Sequence, residues 1–306
     1  MTGTGIDILG MGAVAVDDLL YVDRYMPPNT KAPIRSIERH FGGLTASALV
    51  AATRLGARCA YAGLLGYDEL SELAVDNLRQ QSIDLSNLKQ TPEGGCIHST
   101  ILIGTEDHTR NIYHRQTGTT GALEDWPPTD VIESCKVLFV DHIGVPGMIR
   151  AAKIARNAGI PVVGDIERHI PGVPDLINLV DHLVISWEFA RSITTASTPA
   201  EAARILLTPQ RAITAITCGE QGCWYYSAGL SQPEYQPAFC VQVVDTNGCG
   251  DVFHGAYMAA LVAQKPLTDR IRFASAAAAI KATRHGGQSG APKLEEVVRF
   301  LAMQSD

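Results

Sequence analysis

Val243-Val244-Asp245-Thr246-Asn247-Gly248-Cys249-Gly250-Asp251-Val252-Phe253-His254-Gly255-Ala256 sets two acids and two glycines at fixed spacing between an apolar pair and a helical run. It reads as a buried strand end at Val243-Val244, a turn carrying two glycines, and an aspartate where a helix begins. Glycines turn the chain tightly and leave backbone N–H groups bare, and a helix N-terminus adds partial positive charge, so the turn suits an anion such as a phosphoryl group in transit. An aspartate is a poor neighbour for an anion, because its charge repels the ligand. Asp251 therefore points to a chemical task, most simply removal of the proton from an attacking hydroxyl. Taken singly, the same residues also describe an N-cap and an ordinary loop. Their ordered combination is what favours chemistry.

Outward from this turn the chain alternates strand and helix. Ile6 to Leu9 is a short apolar strand, and after Gly42-Gly43 the residues Ala46, Leu49, Val50, Ala52 and Leu55 mark a buried helix ending at Gly56. Cys59 to Leu65 reads as a strand and Glu72 to Gln81 as a helix. The alternation resumes with Val137 to Val140, Met148 to Asn157, Val162-Val163, Leu183 to Ile185 and Ala212 to Thr217. A parallel sheet with crossover helices is the simplest α/β fold for this order. Two segments, about 18–41 and 96–115, break the pattern and read as β-hairpin material. The last quarter is helical, over Val252 to Ala263, Ile271 to Arg284 and Leu294 to Leu301.

Asp245-Thr246-x-Gly248-x-Gly250-Asp251 resembles the D-T-x-G-x-G-D signature of the ribokinase-like, or PfkB, family of sugar and nucleoside kinases. The resemblance implies a three-layer α/β/α fold with a mainly parallel central sheet, and one kinase domain over 1–306 whose inserted hairpins form a small β lid. It implies Asp251 as catalytic base and the amides of Gly248, Cys249 and Gly250 as the anion hole for the γ-phosphoryl of ATP. Asp245 and Thr246 then belong to the nucleotide side. Ile216-Thr217-Cys218-Gly219-Glu220-Gln221-Gly222 resembles the family's T-x-G-x-x-G turn, which assigns Thr217, Gly219 and Gly222 to ATP. A strand closed by a threonine and two glycines is also simply a hairpin turn into Cys223 to Tyr226. Thr283 to Gly290, with Gly287, sits where the family closes the adenine pocket and, in many members, binds a monovalent cation such as K⁺; a plain helix C-cap reads the same way. Mg²⁺ is expected on the phosphates. Where the family often has N-x-x-E, this chain has Ser186-Trp187-Glu188, which makes Glu188 the candidate acid for the metal, with Asp165 a further acid at a strand C-terminus.

For the substrate, the family pattern G-G-x-x-A-N falls on Gly42, Gly43 and, in place of Asn, Ser47. A hydroxyl is shorter than an amide and donates less, so ribose specificity does not carry over. Asp17 matches the family's early sugar-binding aspartate. Asp251 to Ala256, Arg272 to Ser275 and the small residue at 47 resemble the branch containing sulfofructose kinases, and Lys31 suits a cation at the far end of that substrate. Ile143 stands where that branch would use an arginine, so a sulfonated sugar is not expected; His114 and Arg115 are the other candidates there.

The 306 residues, with 46% hydrophobic and 19% charged, fit a globular protein with a sizeable core. A formal net charge of -7 argues against nucleic acid as partner. Seven scattered cysteines without a C-x-x-C pair fit reduced thiols in the cytoplasm, and Cys249 reads as a small residue filling a tight loop. No apolar run reaches membrane length, and Met1 to Asp7 lacks the pattern of a signal peptide. No G-x-x-x-x-G-K-[ST] occurs, which excludes a P-loop. Three rivals remain: a nucleoside kinase of the same family, a catalytically silent binding protein, and an NAD oxidoreductase using Gly10-Met11-Gly12-Ala13-Val14-Ala15 as G-x-G-x-x-A. The last requires a helix after the glycines, where Asp17 to Asp23 alternates like a strand. The exposed lid edges point to a homodimer.

Overall fold

The structure, a computed structural model, describes residues 5–106 and 109–304, so the readings that fall on Met1 to Thr4 and on 107–108 lie outside the described residues. The first third runs β1 (Ile8–Gly10), β2 (Ala15–Val22), β3 (Ser36–Gly42), α1 (Leu44–Arg54), β4 (Cys59–Tyr61), β5 (Leu64–Leu65), α2 (Glu69–Gln80) and β6 (Lys89–Gln90). Next come β7 (Ile97–Gly104), β8 (Thr109–Gln116), α3 (Thr129–Glu133), β9 (Val137–Val140), α4 (Val145–Asn157), β10 (Val162–Gly164), α5 (Val173–Asn178), β11 (His182–Ser186), α6 (Trp187–Ile193) and α7 (Pro199–Leu206). The chain ends with β12 (Ile213–Thr217), β13 (Cys223–Tyr226), β14 (Glu234–Gln236), α8 (Cys249–Val262), α9 (Leu267–Ala282) and α10 (Leu294–Met303).

The central sheet runs β14-β13-β12-β11-β10-β9-β1-β4, parallel from β12 to β4 with β13 and β14 antiparallel at one edge. Its strands are apolar on both faces because helices cover both. Val137 and Phe139 of β9 join the core formed with α1, α8 and α9, while Leu138 and Val140 join the core formed with α4 and α5. The period of two thus divides one buried strand between two helical layers, which is the three-layer α/β/α arrangement expected.

The inserted segments form a second sheet, β3-β2-β7-β8. Its register aligns His40, Asp17, Ser99 and His114 in one row across four strands, with Gly42, Ala15, Ile97 and Gln116 in the row two residues away. Side chains two apart share a face, so these rows belong to one face of the lid.

Three readings need correction. Cys59 to Leu65 is not one strand: β4 ends at Tyr61, and Gly63, wedged beside the Tyr61 hydroxyl and the Met11 carbonyl, steps the chain out to β5 in a separate sheet with β6. Val243-Val244 is not a buried strand end. Both valines are exposed, and the amides of Val244 and Asp245 donate to the Ala282 carbonyl at 2.8 and 3.1 Å, which pins the segment to the end of α9. Asp251 is not an N-cap; Gly248 holds that position.

Candidate active site

Gly248 caps α8 with φ at 77°, a left-handed conformation that favours glycine, and no side chain caps the helix. The Asp251 carboxylate, in the first turn, is therefore free to face the cleft. It accepts a hydrogen bond from Ser47 of α1, and burial pushes its pKa well above the carboxylate range, with Asp165, Glu167 and Asp141 adding repulsion that the Ser47 bond only partly offsets. A raised pKa brings a carboxylate towards the operating pH, where proton transfer is most effective.

The turn before α8 is fastened at both ends. Asp245 accepts the amides of Asn247 and Gly286, each at 2.8 Å. Burial raises its pKa, but these bonds and the Lys281 ammonium outweigh it and hold the carboxyl below its ordinary value. Asp245 is thus an anchor for the turn. The Cys249 amide donates to the Thr246 carbonyl at 3.2 Å. Among the described residues this leaves the amides of Thr246, Gly248, Gly250 and Asp251 in the turn without an acceptor, the last three being the donors a helix start offers an anion. Burial raises the Cys249 thiol pKa, as suits an inert filler. Gly287 packs on Gly248 so closely that a Cβ on Gly248 would sit 2.7 Å from the Gly287 Cα.

The cleft occupies about 530 Å³ and carries Asp251 and Asn247 on its α/β side and the lid face on the other, with Asp17, Ser99 and His114 among its lining. Burial raises the pKa of Asp17, while the Ser99 hydroxyl and the charges of His40 and His98 oppose the shift. Gly42 is needed there, because a Cβ would lie 2.5 Å from Asp17 Oδ2. Gly43, with φ at 92°, starts α1 against the Ala13 and Val14 backbone. His114 Nε2 lies 3.4 Å from the Arg168 guanidinium.

Other predicted residues stand apart. Ser47 is buried behind Asp251 and does not line the cleft, and Lys31 is exposed on the β2–β3 connection, also outside the lining. Thr217, Gly219 and Gly222 form the turn between antiparallel β12 and β13, where the Thr217 hydroxyl reaches the Ile185 carbonyl at 3.4 Å. Glu188 is exposed in the first turn of α6, and its charge is felt at Glu167. Among the described residues no group of three His, Cys, Asp or Glu gathers to hold a metal ion. A metal here must take most of its ligands from a phosphate chain or from water.

Sequence reasoning passed over His142, Glu167 and Arg168 as site residues, although all three line the cleft. Their signal is positional: they follow β9 and β10, and ligands in open α/β sheets gather beyond the carboxyl ends of strands. Asp141, fully buried after β9, accepts the amides of Ala13 and Ile143 at 2.7 Å each and the Thr45 hydroxyl at 2.8 Å. This network disposes of the dinucleotide rival. Gly12 packs on the Asp141 carboxylate, and the chain beyond Ala15 runs into β2 where a helix would be required.

Among solved structures, the Arabidopsis thaliana ribokinase complexed with ribose and ATP shares the fold with a TM-score of 0.86 at 20% identity, over 97% of this chain and 99% of that one. The ribokinase of Haemophilus influenzae is 26% identical over 95% of this chain and 97% of its own. Fructokinase-1 of Oryza sativa subsp. japonica is 26% identical over 85% and 88%. The architecture is that of a ribokinase-like kinase. More particularly, the chain belongs to the pfkB family of carbohydrate kinases, whose family model matches residues 7–294.

Proposed function

We propose that this kinase transfers the γ-phosphoryl of ATP to a hydroxyl of a small carbohydrate held between Asp17 and Asp251, with the lid sheet excluding water. The observation that carries the reading is Asp251 itself: a first-turn carboxylate not used as a cap, with a raised pKa, in one cleft with Asp17 and beside the free amides of Gly248 and Gly250. Asp251 takes the proton from the attacking hydroxyl. The two glycine amides, joined by that of Asp251, meet the charge that develops on the transferred group. The nucleotide approaches over Thr217, Gly219 and Gly222 towards Gly287, and the exposed Val243 and Val244 offer an apolar surface nearby. Glu167 and, from the first turn of α6, Glu188 would orient the waters of a Mg²⁺ carried on the phosphates, whose contribution would be to neutralise their charge.

The chain works as one kinase unit with its lid, in the cytoplasm, where its free cysteines stay reduced. The lid face away from the cleft exposes Ile37 and Tyr113, and we assign it to a homodimer contact. A nucleoside kinase reading draws on Ile97, Ile101 and Ile112, which give the lid an apolar surface for a base. An ATP-consumption screen across ketoses, aldoses, sugar acids and nucleosides separates the two. Asp251→Asn is expected to lower kcat by about 10²–10⁴-fold while sparing ATP binding; near-normal turnover would overturn the assignment.

A further inference from the structure

The resemblance to ribokinase-like kinases carries an expectation of a monovalent cation beside the 283–290 loop, and the residues present do not fit a free ion. A side chain fills the position. Lys281, in the last turn of α9, has a relative exposure of 0%, an unusual setting for a lysine. Its ammonium donates to the Asp245 carbonyl at 2.7 Å and the Arg284 carbonyl at 3.2 Å, and lies 3.4 Å from Asp245 Oδ2. Two carbonyl oxygens and one carboxylate oxygen, drawn from two separate loops, are the hard-oxygen surroundings an alkali ion would need. The stem is fitted as closely: a Cβ on Gly290 would approach Lys281 Cε to 3.2 Å. The loops it joins are those that meet at Gly248 and Gly287 and carry the free glycine amides. The ammonium is also among the charges acting on Cys249 in the centre of the turn.

We infer that Lys281 is a tethered substitute for the monovalent cation, a positioning residue that clamps the anion-binding turn to the 283–290 loop and makes the enzyme independent of K⁺. The inference rests on the proposed function for its kinetic consequence and on geometry alone for its structural one. Both are therefore tested. Wild-type turnover in potassium chloride and in choline chloride at equal ionic strength is expected to agree within about twofold, whereas a tenfold or greater activation by K⁺ overturns the inference. Lys281→Met leaves the oxygen cage without its charge. Its turnover in choline is expected to fall roughly 10–100-fold and to recover at least about tenfold in K⁺ or methylammonium.

A thermal-melting series reads the cage without any turnover. K⁺ at millimolar concentrations is expected to raise the Tm of Lys281→Met and leave that of the wild type unmoved, by mass action on a site only the variant leaves open. Full turnover of the variant in choline, or a folded variant that no small cation rescues or stabilises, overturns the inference. Should Lys281→Met not fold, Lys281→Arg replaces it, expected to fold and remain K⁺-indifferent; the wild-type cation comparison stands either way. If sugar turnover is absent altogether, the proposed function fails while the melting series still decides the cage.

Discussion

Replacing Gly248 with alanine tests whether the anion-binding turn acts through its backbone. The residue holds φ at 77°, where an L side chain costs about 1–2 kcal/mol. The added Cβ would stand 2.7 Å from the Gly287 Cα, in the backbone of the facing loop. Carbon atoms settle at about 3.5–4.0 Å, so the two loops must part by roughly 1 Å. Donors to a developing oxyanion work at about 2.7–3.1 Å, so a shift of that size removes at least one, worth about 10²–10³ in kcat or about 2.7–4 kcal/mol. Gly287→Ala is the matched control, because its Cβ would meet the Gly248 Cα at an ordinary 3.7 Å. Initial rates across ATP and sugar concentrations, with Tm measured on the same samples, should show Gly248→Ala losing kcat by about two to three orders of magnitude and Gly287→Ala by less than about tenfold. Similar losses in the two variants, or a larger loss in Gly287→Ala, would refute the reasoning.

The remaining predictions concern the two carboxylates. Since Asp251 must be ionised to act and its pKa is raised, log kcat/KM is expected to rise with pH through that value and level off above it, a limb that Asp251→Asn lacks. A pH-independent wild-type rate from acid to neutral would contradict the role. The same shift has a stability consequence: the folded state holds this proton more tightly than the unfolded chain, so wild-type stability falls as pH rises from the unfolded value of about 3.9 towards the folded one. Asp251→Asn should therefore melt higher than wild type, by a margin that widens from acid to neutral pH. Gly42→Ala drives a Cβ to 2.5 Å from Asp17 Oδ2 and displaces the carboxylate. Losing one charged hydrogen bond of about 1.5–3 kcal/mol should lower kcat/KM for the sugar roughly 10–100-fold, with KM for ATP unchanged; an unaltered sugar KM would remove Asp17 from the substrate site.

What could be read in advance follows from how local the cause is. β9 fell where four consecutive apolar residues placed it, because a strand buried on both faces announces itself. Val243-Val244 carries the same signal, yet its backbone pairs with the end of α9, a partner no window around residue 243 can reveal. The turn from Asp245 to Asp251 was legible because glycines and acids at fixed spacing have few other uses. Ser47, expected against the substrate, is buried under the cleft instead and bonds Asp251. His142 has no motif, only its place beyond a strand end, while Glu167 and Arg168 lie in the stretch after Asp165 where the family often reads D-x-N-x-R and this chain keeps the Asp and, one place early, the Arg. Lys281 was hidden in an Ala-rich helix, where a lysine ordinarily marks the solvent face.

The acids explain why so much of the molecule is spent holding this turn. Asp141, Asp165 and Glu167 follow β9 and β10 and converge on Asp251 at the start of α8; burial raises the pKa of Asp251, and those three charges raise it further. Such a cluster opposes folding, and no residue spacing in one segment produces it, since the acids arrive from the ends of two strands and the start of a helix. Its consequence is a carboxyl that holds its proton more tightly than an exposed one, which on the proposed reading brings the base towards the operating pH. The counterweight lies in fixed donors: the Asp141 carboxylate is tied by two amides and a hydroxyl, and Asp245 by two amides and the Lys281 ammonium. Asp251, by contrast, faces the cleft with one hydroxyl partner, that of Ser47. The fold thus ties down Asp141 and Asp245, which hold the turn, and leaves Asp251 lightly held at the place where the proposed reaction takes a proton.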